Sequence, residues 1–172
     1  MNPALHVTVA AIAESAGRYL LVEEQIEGRR VINQPAGHWE PGETLYQAVV
    51  RETLEETGWD FVPRGLVGIY QWAHPNGRDT FLRFAFHGEA VSNNPTLELD
   101  TEIQQVVWRS RQELRSTNVP LRSPQVLRCI DDFERGARFS LDCLNVVGGK
   151  ARAAAPDGPA SPRRDPAHRD HP

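Results

Sequence analysis

Between Thr44 and Gly58 the chain carries the markings of a single helix with both ends defined. Thr44 followed by Gln47 is a capping-box pair, in which each side chain meets a backbone N–H that the helix start leaves unpaired, and Gly58 stands where a left-handed C-cap belongs. The pattern predicts a helix over 44–57. At about 100° per residue, Glu52, Glu55 and Glu56 fall within a sector of roughly 80°. Each like-charge pair one turn apart costs a few tenths of a kcal/mol in water, and more where the helix is half buried. Apolar residues border this sector on both sides: Leu45, Ala48, Val49 and Trp59 lie near it, while Tyr46, Val50 and Leu54 line the opposite face. A solvated acidic face is the plain explanation of three such glutamates. The alternative is a hard divalent cation, which takes oxygen ligands and, as Mg²⁺, sits between a few carboxylates and substrate phosphates.

Around the helix the pattern is longer. Gly37, five residues, Glu43, seven residues, Arg51-Glu52, two residues, Glu55-Glu56, one residue, then Gly58 and the bulky Trp59 resembles the box of the Nudix hydrolases. Thr53 departs from it, standing where the family usually has an aliphatic or small apolar residue, a difference of packing and not of chemistry. Further stretches resemble a bacterial branch of that family, the NudJ-type phosphatases: His6–Ala10, Asn33–His38, Gln71-Trp72 with Phe81–Phe84, and Leu121–Pro124. The resemblance implies an α/β fold, the Nudix α/β/α sandwich with a mixed β-sheet. It also implies metal-assisted hydrolysis of phosphoanhydride bonds, with Mg²⁺, or Mn²⁺ in its place, held by Glu52, Glu55, Glu56 and the carbonyl of Gly37. Arg51 is expected to hold Glu43 by an ion pair, and Glu43 to add a metal contact. Glu56 or Glu102 is the candidate general base, with Asp100 as the substitute for Glu102. The branch points to nucleoside tri- and diphosphates, or to a small pyrophosphate such as hydroxymethylpyrimidine pyrophosphate. ADP-ribose or a dinucleoside diphosphate is the alternative substrate, and a Nudix module that senses a nucleotide without cleaving it is the alternative class.

Composition narrows the partners. Residues 1–147 are net −6 and those from 148 onward net +2. An acidic domain is a poor match for long nucleic acid, whose binding rests on neutralised phosphates, whereas a bound metal can invert the field for a small phosphorylated substrate. Cys129 and Cys143 form neither a disulfide framework nor a zinc motif and read as reduced, mostly buried thiols. The apolar run Val7–Ala13 is too short for a membrane span or a signal peptide. These features lead to the expectation of a cytoplasmic monomer or homodimer that engages no membrane.

In chain order, His6–Glu14 reads as a strand buried on both faces and Arg18–Glu24 as its hairpin partner. Gln25–Arg30 reads as a loop, from which Arg29 or Arg30 could reach a phosphate, and Val31–Gly37 as an extended segment broken by Pro35. Trp39 and Trp72 are candidate stacking surfaces for a base, and Trp39 equally a packing residue. Leu66–His74 and Thr80–His87 form a hairpin about Pro75–Arg78, with Arg83 a charge inside a strand, either a phosphate contact or an ion-pair partner of the acidic cluster. An acidic loop over 91–102 leads to a strand at Ile103–Trp108, then come helices at Arg111–Arg115 and Ser123–Glu134 and a terminal strand at Phe139–Leu144. The domain is set at 1–147. From 148 onward Pro, Ala and Arg dominate with little to bury, which reads as a disordered tail. Deleting 150–172 is therefore expected to leave melting temperature and turnover nearly unchanged, and a fall of several degrees on truncation would show that the tail docks.

Overall fold

The computed structural model describes residues 4–148. Its scaffold is a mixed seven-stranded sheet in which β1 (Ala4–Ser15) runs parallel to β6 (Asp79–Asn93) and antiparallel to β2 (Arg18–Ile26) and β4 (Ala36–His38). Strand β5 (Trp59–Ala73) closes one edge against β6, while β3 (Arg29–Asn33) and β7 (Ile103–Arg109) both pair with β2. Central β1 is apolar without alternation because both of its faces are covered, and Val9, Ala10, Ala11, Ile12 and Ala13 are all fully buried.

Two cores lie on opposite sides. On one, Val9, Ala11, Leu66 and Phe86 pack against Ala48 and Val49 of helix α1 (Leu45–Thr57). On the other, Ile12, Leu21, Val67 and Ala85 meet Leu114 of α2 (Arg111–Ser116) and Cys129 and Ile130 of α3 (Gln125–Glu134). This is the helix–sheet–helix layering that the family resemblance implies.

Helix α1 has the predicted ends. Thr44 accepts from the Gln47 N–H at 3.1 Å and the Gln47 side chain accepts from the Thr44 N–H at 2.9 Å; Gly58 is left-handed at φ 71° and donates to the Leu54 carbonyl. Fully buried Thr53 donates its hydroxyl to the Val49 carbonyl at 2.7 Å, which satisfies the one polar group that distinguishes it from an aliphatic side chain.

Several boundaries differ from the sequence expectation. The stretch 25–30 is no loop: β2 runs through Ile26, β3 begins at Arg29, and a two-residue turn joins them with Glu27 and Gly28 both at positive φ. That is the mirror-image turn a tight hairpin needs, obscured because glutamate seldom takes this conformation. After Asn33 the chain changes partners, from β2 to β1, so the extended segment is two strands. The long hairpin reaches back to Trp59 and on to Asn93, and register shifts absorb Pro63, Gly65 and Gly68, which break its alternation. The terminal strand is replaced by a single 3₁₀ turn, Leu141–Cys143, although Phe139 does bridge to Leu66. Cys143 is exposed, not buried. No helix among the described residues is long and apolar enough to cross a membrane. The expected tail, Gly148 apart, lies outside the described residues.

Candidate active site

The C-terminal half of α1 faces β4, and the contact is close. A Cβ built on Gly37 would stand 2.1 Å from Oε2 of Glu52, so only glycine lets the Glu52 carboxylate lie against this backbone. One turn on, Oε2 of Glu56 accepts from the Ala36 N–H at 2.8 Å. Glu52 and Glu56 are each only 8% exposed, and burial pushes both carboxyls above the ordinary carboxylate range, Glu56 well above. Glu55 points outward, with 44% of its side chain exposed.

Arg51 ties these groups together. Its fork donates to both oxygens of Glu43, at 3.0 and 2.7 Å, and its other arm reaches Glu52 at 2.8 Å and Glu55 at 3.0 Å. A further bond, to the His38 carbonyl at 3.0 Å, fixes the loop to β4. These partners, Glu43 first, raise Arg51's hold on its proton; burial opposes ionisation of Glu43, but the Arg51 bonds outweigh it and keep that carboxyl below its usual value.

Glu52 and Glu56 open onto a cleft of about 340 Å³ lined also by Thr8, Glu24, Asn33, Gly37, His38, Phe81, Arg83, Asp100, Glu102 and Arg122. Asp100 and Glu102 stand exposed at its rim, on a loop held by bonds from Asp100 N–H to the Glu55 carbonyl and from Gln25 N–H to the Glu102 carbonyl. Arg83 is 7% exposed, anchored through its terminal nitrogen on Gln34 Oε1 at 3.2 Å. Buried polar atoms without a hydrogen-bond partner gather here: Thr8 Oγ1, Glu24 Oε1, Asn33 Oδ1 and Arg83 Nε all belong to side chains lining this cleft. Such atoms cost roughly 1–3 kcal/mol each when left unmet, the signature of a surface shaped for a ligand.

The other expected contacts lie elsewhere. Arg29 is exposed at the start of β3, outside the cleft lining, and Arg30 pairs with Glu23. Trp39 donates its indole N–H to the Glu43 carbonyl at 2.8 Å and lines a separate, apolar cavity of about 710 Å³ together with Val7, Leu82 and Phe84. Trp72 packs on Phe81, 5.6 Å between ring centres, and it is Phe81 that lines the cleft. Thr8, Asn33, Phe81 and Arg122 lie in the family-like stretches of the sequence without being singled out as site residues, and Glu24 lies outside those stretches. Glu24 was findable in principle, as a charge in a strand, by the reasoning that singled out Arg83.

The residues suit a hard divalent cation in kind: oxygen donors at Glu24, Glu52 and Glu56, an unmet oxygen on Glu24, and the Gly37 backbone lying against Glu52. Among the described residues no three carboxylate, imidazole or thiol groups already form a closed cage; Glu52 and Glu55 instead share Arg51.

Comparison with known proteins identifies the family. The chain is 41% identical over 140 residues to Phosphatase NudJ of Escherichia coli K12, covering 81% of this chain and 90% of that protein. A solved NUDIX hydrolase from Nitrosomonas europaea superposes with a TM-score of 0.82 at 46% identity, covering 86% of this chain and all of that one. The E. coli ORF135 protein follows with a TM-score of 0.60 at 29% identity, over 79% of this chain and 94% of its own. The model for the NUDIX domain matches residues 3–129, and the chain thus belongs to the Nudix family, with the α/β Nudix fold and the acid-anhydride hydrolase activity of that family.

Proposed function

We propose that the protein hydrolyses phosphoanhydride bonds of nucleoside tri- and diphosphates, or of a small pyrophosphate such as hydroxymethylpyrimidine pyrophosphate, with Mg²⁺ or Mn²⁺ as cofactor. The observation that carries this reading is the mixture of charge in the cleft, which the carboxylates of Glu24, Glu52 and Glu56 line together with the guanidiniums of Arg83 and Arg122. A cation and a polyanion together complete such a cleft, and neither alone does. A divalent ion held by Glu52, Glu55, Glu56 and the Gly37 carbonyl would neutralise substrate oxygens and acidify the attacking water.

The remaining work falls to side chains. Arg51 orients Glu52 and Glu55. Glu56, whose burial raises its proton affinity, is suited to take the proton from that water, and Glu102 at the rim is the alternative acceptor. Phe81 lines the cleft from between His6 and Trp72, 4.7 and 5.6 Å away between ring centres, and this aromatic surface carries no group that would read one base over another. Similarity to a protein named Phosphatase NudJ supports release of phosphate over other anhydride cleavages.

A phosphate-release screen over nucleotides, pathway pyrophosphates, ADP-ribose and dinucleoside diphosphates tests this. Expected is Mg²⁺-dependent turnover of several nucleoside di- and triphosphates, with no base favoured by more than about a hundredfold. A marked preference for ADP-ribose or a dinucleoside diphosphate would replace the substrate assignment, and tight nucleotide binding without turnover would replace hydrolysis by sensing.

A further inference from the structure

We propose that Thr8, Arg83 and Arg122 form a phosphoryl-binding wall on the strand side of the cleft, facing the carboxylates of α1. The inference rests on the phosphoanhydride reading above and deepens it, by assigning the grip on substrate phosphate to residues outside the Nudix box.

Three distant segments build the wall. Thr8 of β1 stands opposite Arg83 of β6 in the parallel register, so the two side chains leave the sheet on the same face, and both line the cleft. Arg122 arrives from the connection between α2 and α3. Its backbone N–H donates to the Ile32 carbonyl at 2.8 Å, and the Ile32 N–H donates to the Pro120 carbonyl at 2.9 Å, which clamps this segment to the end of β3. The Arg122 side chain is exposed yet lines the cleft.

The chemistry of the wall is that of an anion site. Arg83 is preorganised: Gln34, held by a bond to the Val126 carbonyl at 2.8 Å, fixes one terminal nitrogen and leaves the Nε–H of Arg83 without a partner. Among the described residues neither Arg83 nor Arg122 is ion-paired, and Thr8 Oγ1 is likewise buried and unmet. Burial depresses Arg83's proton affinity; Cys129, Glu24 and Glu56 act in the opposite sense, and Arg122's charge adds a smaller push in the same direction as burial. A buried guanidinium in this position gains most from an anion placed between it and Arg122. Phosphoryl oxygens match, accepting from planar N–H pairs and a hydroxyl in a way a single-point anion does not.

Binding of imidodiphosphate, a non-hydrolysable pyrophosphate analogue, to the full chain with Mg²⁺ is measured by calorimetry for the parent, Arg122→Ala, Arg122→Lys and Thr8→Val. The Arg122 side chain is exposed, so its loss spares the fold, as melting temperature checks. Arg122→Ala is expected to weaken binding at least about tenfold and to raise KM for the best substrate comparably, with kcat within about threefold. Arg122→Lys should recover part of the affinity through charge without the fork, and Thr8→Val should lose several-fold. Parental affinity in folded Arg122→Ala, or no measurable binding by the parent itself, would overturn the wall. The two readings separate cleanly. Arg122-dependent binding in a protein that cleaves no phosphoanhydride would sink the reaction and spare the wall, and Mg²⁺-dependent turnover indifferent to Arg122 would do the reverse.

Discussion

Replacing Glu56 by glutamine should abolish most turnover while leaving the metal-free protein at least as stable as the parent. Glu56 is 8% exposed, and its Oε2 accepts from the Ala36 N–H, a bond the glutamine oxygen can keep. What the variant loses is charge, and in the absence of metal that charge is a cost. Burial, together with Glu24, Glu52 and Asp100, holds the Glu56 carboxyl well above its ordinary value. An acid raised in the folded state contributes its full stability below the unfolded pKa and loses it as pH rises through the folded value. The stability advantage of Glu56→Gln in metal-free buffer should therefore be absent near pH 4, the unfolded carboxylate range, and grow toward neutrality.

Metal reverses the order. Mg²⁺ binding should stabilise the parent by mass action, and the variant should gain less and turn over at least about a hundredfold more slowly. Paired melting curves with and without Mg²⁺ at acidic and neutral pH, alongside kcat, decide it. Near-parental turnover, or an equal Mg²⁺ shift in both proteins, would remove Glu56 from the site. Glu55 is the less revealing target, because its carboxylate is 44% exposed and bonded to Arg51, so changing it also loosens Arg51's hold on its other partners.

What could be read from the sequence, and what could not, divides by the range of the forces involved. Helix α1, its caps and its three glutamates are local facts: Thr44 and Gln47, or Glu52 and Glu56, meet whatever else the chain does. The apolar run in β1 was legible for the same reason. The cleft's other wall depends on register. Thr8 comes to Arg83 only because β1 and β6 run parallel in one alignment, and Arg122 reaches the mouth only because Ile32 bonds to both sides of residue 121. No periodicity in the sequence encodes either meeting.

Adjacent Glu23 and Glu24 show the limit well. Both are buried, but Glu23 is neutralised by Arg30 and Arg109, whereas Glu24 lines the cleft with one oxygen unmet. The sequence offers two glutamates in a strand; that Glu23 is closely ion-paired and Glu24 is not is decided by Arg30 of β3 and Arg109 of β7. Arg29 was misjudged as well: the hairpin turn at Glu27-Gly28 pairs it with Ile26, which does line the cleft, yet Arg29 itself is exposed and not part of the lining.

Gly37→Ala should disable the site through a single displaced side chain. The added Cβ would lie 2.1 to 2.3 Å from the three terminal atoms of Glu52, far inside contact distance. Those atoms are the far end of a flexible chain and not backbone, so the strand stays and the carboxylate moves. Moving it breaks the 2.8 Å bond from Arg51, which keeps Glu43 and the His38 carbonyl as partners. Metal-free melting should therefore shift by only a few degrees, about 1 kcal/mol for a chain of this size. Turnover should fall at least about a hundredfold, because misplacing a ligand at the reacting centre costs as much as removing it. The Mg²⁺-induced rise in melting temperature should shrink with it. The decisive comparison is the double variant with Glu52→Gln. If Gly37→Ala acts by displacing Glu52, the two losses do not add, and the double variant is no slower than the slower single one. Multiplying losses would mean that Gly37 works through something other than Glu52, and near-parental turnover of Gly37→Ala alone would show that Glu52 need not lie where the helix and β4 hold it.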